Sequence, residues 1–157
     1  MSATPIEDMV VGLYDYIVAN METYLNAIEV EKADDVTLPD FLSRDYGFRD
    51  IFSMKRYPAI LLAPAMVEPE ASANSAENYY VDVDILMAIA DNDLTRLAKK
   101  QMRYADAFMS MIYADESIDG VCLLADIGAV DFYAAPPGQA NVCATVITVR
   151  MFQEVIT

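Results

Sequence analysis

The carboxylate pairs are the first places where chemistry could be done. Asp82 and Asp84 stand two apart in an alternating segment, so they share one face of a strand, and Asp126 and Asp131 lie on a second strand-like segment. Paired carboxylates can hold Mg²⁺ or Ca²⁺, or act as acid and base. No glycine-rich calcium loop, histidine or positioned nucleophile accompanies them, so the residues predict a solvated sheet face. The chain has no histidine at all, which removes the usual general base and the commonest metal ligand. Its five glycines, at 12, 47, 120, 128 and 138, build neither GxGxxG nor GxxxxGK[ST]. The serines and cysteines have no base partner, and the ten tyrosines read as packing rather than a ligand cage. The expectation is no catalytic residue, no metal and no cofactor.

The chain that must position these groups has 157 residues, 55% of them hydrophobic. That suits one domain, 1–157, able to bury roughly 70% of its unfolded surface. Acidic residues outnumber basic ones 25 to 10, for a net charge of −15. Such a body is repelled by nucleic-acid backbones and anionic membranes. The N-terminal residues show no secretory pattern and no apolar run approaches the ~18 residues of a membrane span, so the reading is a soluble protein of cytoplasmic origin.

Thr4-Pro5-Ile6-Glu7 forms a capping box, after which Ile6, Val10, Leu13, Ile17, Met21, Tyr24 and Ile28 make one apolar helical stripe. Residues 32–55 read as a loop with one helical turn near Phe41–Leu42 and a turn at Gly47. A buried strand follows at 59–63, and an exposed flexible loop is expected at 67–78. Tyr79 to Ala90 alternates, with Tyr79, Val81, Val83, Ile85, Met87 and Ile89 on one side and Tyr80, Asp82, Asp84 and Leu86 on the other. Asp91-Asn92-Asp93 caps a helix running to about Asp115, with Leu94, Leu97, Ala98, Ala105, Phe108, Met109 and Ile112 facing inward. Strands at about 121–134 and 141–155 close the chain. A hairpin centred near Gly138 would set Cys143 opposite about Tyr133 and Cys122 opposite about Glu154, too far apart for a disulfide. The fold class expected is α+β: an antiparallel or mixed β-sheet of about four strands flanked by two main helices, in the order α-β-β-α-β-β.

Each helix carries a charged ridge opposite its apolar stripe. Asp8, Asp15, Glu22 and Glu29 recur every seven residues along about 30 Å of the first helix. Arg96, Lys99, Lys100 and Arg103 follow i, i+3, i+4, i+7 spacing on the second. Pairing the ridges within one chain would turn an apolar stripe outward. Pairing them between copies gives a heterologous contact of the kind that closes into rings, which makes these eight residues the candidate oligomer interface.

The element order, with Tyr57-Pro58-Ala59-Ile60-Leu61-Leu62-Ala63-Pro64 leading into a polar loop, the long Tyr79–Ala90 strand, the Asn92-Asp93-Leu94 helix start and a C-terminal hairpin, resembles the tail-terminator and tail-completion proteins of siphophages. The resemblance implies a non-enzymatic virion-tail protein assembled in the host cytoplasm as a ring, typically a hexamer. Its implied partners are itself, the tail-tube protein and the head-tail connector protein, with no sequence-specific nucleic acid and no membrane. The loop at 67–78 would dock on a neighbouring ring. Two other functions compete with it: a small α+β ligand-binding or regulatory module, and an enzyme using Asp82, Asp84 or Asp126 with a divalent metal.

Overall fold

The computed structural model describes residues 6–47, 50–71, 76–134 and 141–156. The elements in chain order are α1 (Ile6–Lys32), β1 (Ser43–Tyr46), a short 3-10 turn (Ile51–Ser53), β2 (Ala59–Ala71), β3 (Ala76–Ala90), α2 (Leu94–Ala114), β4 (Leu124–Tyr133) and β5 (Val142–Ile156). The strands form one five-stranded mixed sheet in the order β1-β2-β3-β5-β4. Only β1 pairs in parallel, from Ser43 opposite Ala59 to Tyr46 opposite Leu62. The fold is α+β, as expected, with one strand more than the sequence pattern revealed.

Both helices lie on one face of the sheet. Their apolar stripes meet alternate strand residues in one core: Leu13, Ile17 and Met21 of α1, Tyr104, Phe108 and Met111 of α2, and Val81, Val83, Ile85, Ile147 and Val149 from the strands. Each is almost completely buried, which stabilises the fold by about 1.5–3 kcal/mol per side chain. The α2 stripe is rotated from the expected one, since Tyr104 and Met111 are enclosed while Leu94 is 63% exposed. Tyr16 joins the helices by donating its hydroxyl to the Met111 carbonyl at 2.8 Å, satisfying one of the last carbonyls of α2, which has no partner within the helix.

Among the described residues, the second face of the sheet is covered at one end only. There Ile51 sits on Ala59, Leu61, Ala88 and Ala144, with Phe52, Met54 and Tyr57 around it, and the Tyr57–Pro58 peptide is cis.

Three local expectations are corrected. Residues 43–46 form a strand where a loop with a turn near Phe41–Leu42 was expected. Ser43 and Leu42 reach the Pro58 carbonyl, and Gly47, at φ 96°, donates to Leu62 at 2.8 Å as the chain leaves the sheet. Most of the loop expected at 67–78 is strand: Val67 pairs with Val81, Glu68 with Tyr80, Pro69 with Tyr79 and Ala71 with Glu77, while residues 72–75 lie outside the described residues. The C-terminal pairing keeps the expected register at Leu124 opposite Phe152 and shifts by one beyond an irregularity between Ile127 and Val130, so that Tyr133 stands opposite Ala144; its connection, and the Thr4–Pro5 part of the expected α1 cap, also lie outside them. Cys122 and Cys143 are both free and buried.

Candidate functional site

The two charged ridges differ in how much of them is free. On α1, Asp8, Asp15 and Glu22 are exposed, whereas Glu29 is half-buried and its carboxylate accepts from the Leu38 amide. On α2 most of the ridge is neutralised by its own chain. Arg96 Nε and Lys100 Nζ both reach Asp91 Oδ2, at 2.7 and 2.9 Å, and the Asp91 side chain is only 5% exposed. Arg103 is buried and holds Asp34 with both terminal nitrogens, at 2.9 and 2.7 Å. Of the four, Lys99 stays exposed and has no ion-pair partner among the described residues. The expectation of two free ridges of opposite sign is therefore corrected. Intrachain pairing needed no rotation of an apolar stripe, because the partners come from loop acids beside α2 rather than from α1.

These pairs set local protonation. Hydrogen bonds from Arg103 hold the Asp34 carboxyl well below the usual carboxylate range, and those from Arg96, with the Asp93 amide, do the same for Asp91. Asp93 itself caps α2 by accepting from the amides of Thr95 and Arg96.

The carboxylates expected on a solvated sheet face do share one face, the one without helices. Arg150 stands opposite Asp82 on β3 and opposite Asp126 on β4. Its guanidinium pairs with Glu68, lies 3.7 Å from Asp82 Oδ1 and stacks over the Tyr80 ring at 4.2 Å. Tyr80 in turn packs on Phe152, with ring centroids 5.2 Å apart. Asp84 accepts from Thr148 at 2.9 Å. Asp82 Oδ1 is buried without a hydrogen bond, so Arg150 supplies its main compensation. Leu124 and Met66 flank this row at 48% and 50% exposure.

One acidic segment escaped the sequence reading. Asp115-Glu116-Ser117-Ile118-Asp119-Gly120 has the D-x-S-x-D-G spacing of a calcium loop. Its first carboxylate is spent on its own turn, accepting from the Ser117 hydroxyl and amide and from the Asp119 amide. Among the described residues no three His, Cys, Asp or Glu side chains converge as a metal site. The tyrosines make separate contacts: Tyr104 donates to the Pro39 carbonyl, Tyr57 to Phe52, and Tyr14 packs on Tyr46. An apolar groove of about 460 Å³ is lined by Ile6, Glu7, Val10, Val11, Tyr46 and Pro64. No described helix is long and apolar enough to cross a membrane.

What the geometry offers is contact surface: an acidic helix ridge, an acidic sheet face with an aromatic row, and the exposed β2 edge at residues 64–69. No protein-family model matches the chain, and no curated protein matches it significantly.

Proposed function

We propose that the chain is a non-enzymatic structural subunit that closes into a ring on the end of a phage tail tube, where the head connector docks. The observation that carries this reading is the exposed edge formed by β2. Residues 64–69 are exposed along their whole length although they pair with β3, whose Tyr79, Val81 and Val83 are buried in the core. A stiff edge segment that stays exposed while its partner strand is buried is suited to being covered by a neighbour. The element order supports the resemblance to tail terminators, whose rings are typically hexamers, and the net charge of −15 suits a wall that DNA slides past without adhering. The test is native mass spectrometry with electron microscopy. A ring of mass near six times 17.4 kDa, formed alone or on added tail tubes, is expected. A chain that stays monomeric under both conditions overturns the reading.

The apolar groove beside α1 favours the second reading, a ligand-binding module. A small apolar ligand that raises the melting temperature of a monomeric protein would place the chain there.

A further inference from the structure

We infer that copies of this chain join by seating the Lys55–Arg56 corner of one on the open acidic sheet face of the next, an inference that rests on the ring reading above.

The described cations fall into two groups. Arg44 pairs with Asp40, Arg96 and Lys100 with Asp91, Arg103 with Asp34 and Arg150 with Glu68. Lys32, Lys55, Lys99 and the Arg56 side chain have no ion pair among the described residues, and of these only Lys55 and Arg56 are adjacent. Their corner is held firmly. The Arg56 amide donates to Ser43 Oγ at 3.2 Å, Tyr57 donates to the Phe52 carbonyl at 2.7 Å, and Ile51 is buried beneath. A pre-positioned positive pair on a body of charge −15 is the natural landing point for an acidic surface.

The matching surface is the uncovered half of the same sheet face. Asp126 and Asp131 are exposed there without an ion pair among the described residues, Asp82 and Glu68 share the single guanidinium of Arg150, and the exposed Leu124 and Met66 add apolar area. Against these carboxylates Arg150 is the one cation that the described strands present on this face. Six residues of β3 separate Ala88, beneath the corner, from Asp82, a span of roughly 20 Å, so the corner cannot neutralise the Asp82 region of its own subunit. Asp131 lies nearer, two positions from Tyr133, which pairs with Ala144 beneath the corner, so the seat is the Asp82–Asp126–Glu68 end of the face, and one copy can use both surfaces at once. That makes the contact heterologous, the kind that closes into a ring when the rotation permits.

Complementation tests it. Lys55→Glu/Arg56→Glu gives an acidic corner on an acidic face, and Asp126→Lys/Asp131→Lys gives a basic corner on a basic face. Where the wild-type protein forms rings, each variant alone should run as a monomer in native mass spectrometry, and an equimolar mixture should restore rings of alternating subunits. Circular dichroism melting verifies the fold of each variant, and Lys55→Gln/Arg56→Gln replaces the reversal should it not fold. Rings formed by either variant alone, or a folded mixture that stays monomeric, overturn the contact while leaving the ring reading intact. A wild-type chain that never forms rings removes both.

Discussion

Arg103 and Asp34, 69 positions apart, are joined by two parallel hydrogen bonds from a buried guanidinium to an exposed-loop carboxylate. The pair fastens the chain just beyond α1 to the middle of α2, and it turns a residue that looked like surface charge into a structural one. Bidentate pairing of this kind is stronger and more directional than a single ion contact. Because Arg103 depresses the Asp34 pKa, the unfolded state binds the proton more readily. The pair's contribution is therefore fully present above the unfolded carboxylate pKa of about 3.9 and is lost as pH falls through the lower folded value. Asp34→Asn should lower the urea midpoint at pH 7, and the difference from wild type should begin to shrink below about pH 4 and go on shrinking as the pH falls further. A constant offset across that range would show that the carboxylate's charge is not what matters.

Gly12 of α1 faces Val121 so closely that an added Cβ runs into the valine Cγ2. Gly12→Ala gains about 1 kcal/mol of helix propensity but overpacks the contact, at a cost of about 1–3 kcal/mol. The single substitution should be neutral to destabilising, whereas adding Val121→Ala should release the clash. Urea denaturation of the double-mutant cycle reads this as positive coupling; simple additivity would mean that the loop yields freely.

Phe108 is completely buried between α2 and the sheet, so Phe108→Ala should cost about 3–5 kcal/mol. Tyr16→Phe removes one hydroxyl from the Met111 carbonyl and should cost about 1 kcal/mol. Equilibrium unfolding separates the two, and equal losses would contradict the packing described.

Burial pushes both thiols, Cys122 and Cys143, up to about 11. A raised thiol pKa leaves little thiolate at pH 8. Native protein should react slowly with a thiol-specific disulfide reagent, and denaturant should release both groups. Prompt reaction of either thiol in the native state would place it at the surface instead.

The helices and most strands were legible because their patterns repeat: Val81, Val83, Ile85 and Met87 at period two, and Leu13, Ile17 and Met21 near period four. β1 was not, since Ser-Arg-Asp-Tyr has no apolar alternation and is held by the β2 ladder and the Pro58 carbonyl. The segment at 67–71 reads as a loop from its Glu and Pro content, and pairing with β3, whose own pattern is strong, overrides that composition. Spacing put Arg96, Lys99, Lys100 and Arg103 on one helix but gave neither the burial of Arg103 nor the partners of these side chains. Asp34 lies far away in sequence, and although Asp91 is close to α2, helix periodicity says nothing about a residue before the cap.

The outer edge of β2 beyond Leu62 carries Pro64 and Pro69, opposite Val83 and Tyr79 on β3 with an irregularity between Pro64 and Met66. The extra residue brings both prolines onto the same pairing phase, so each presents its missing N–H to the unoccupied side of the strand. That side cannot template backbone-to-backbone growth. Copies that meet there must rely on side chains, whose attractions ions screen. An assembly held this way dissolves in concentrated salt and reforms on dilution, a reversibility that strand-stitched fibres do not have.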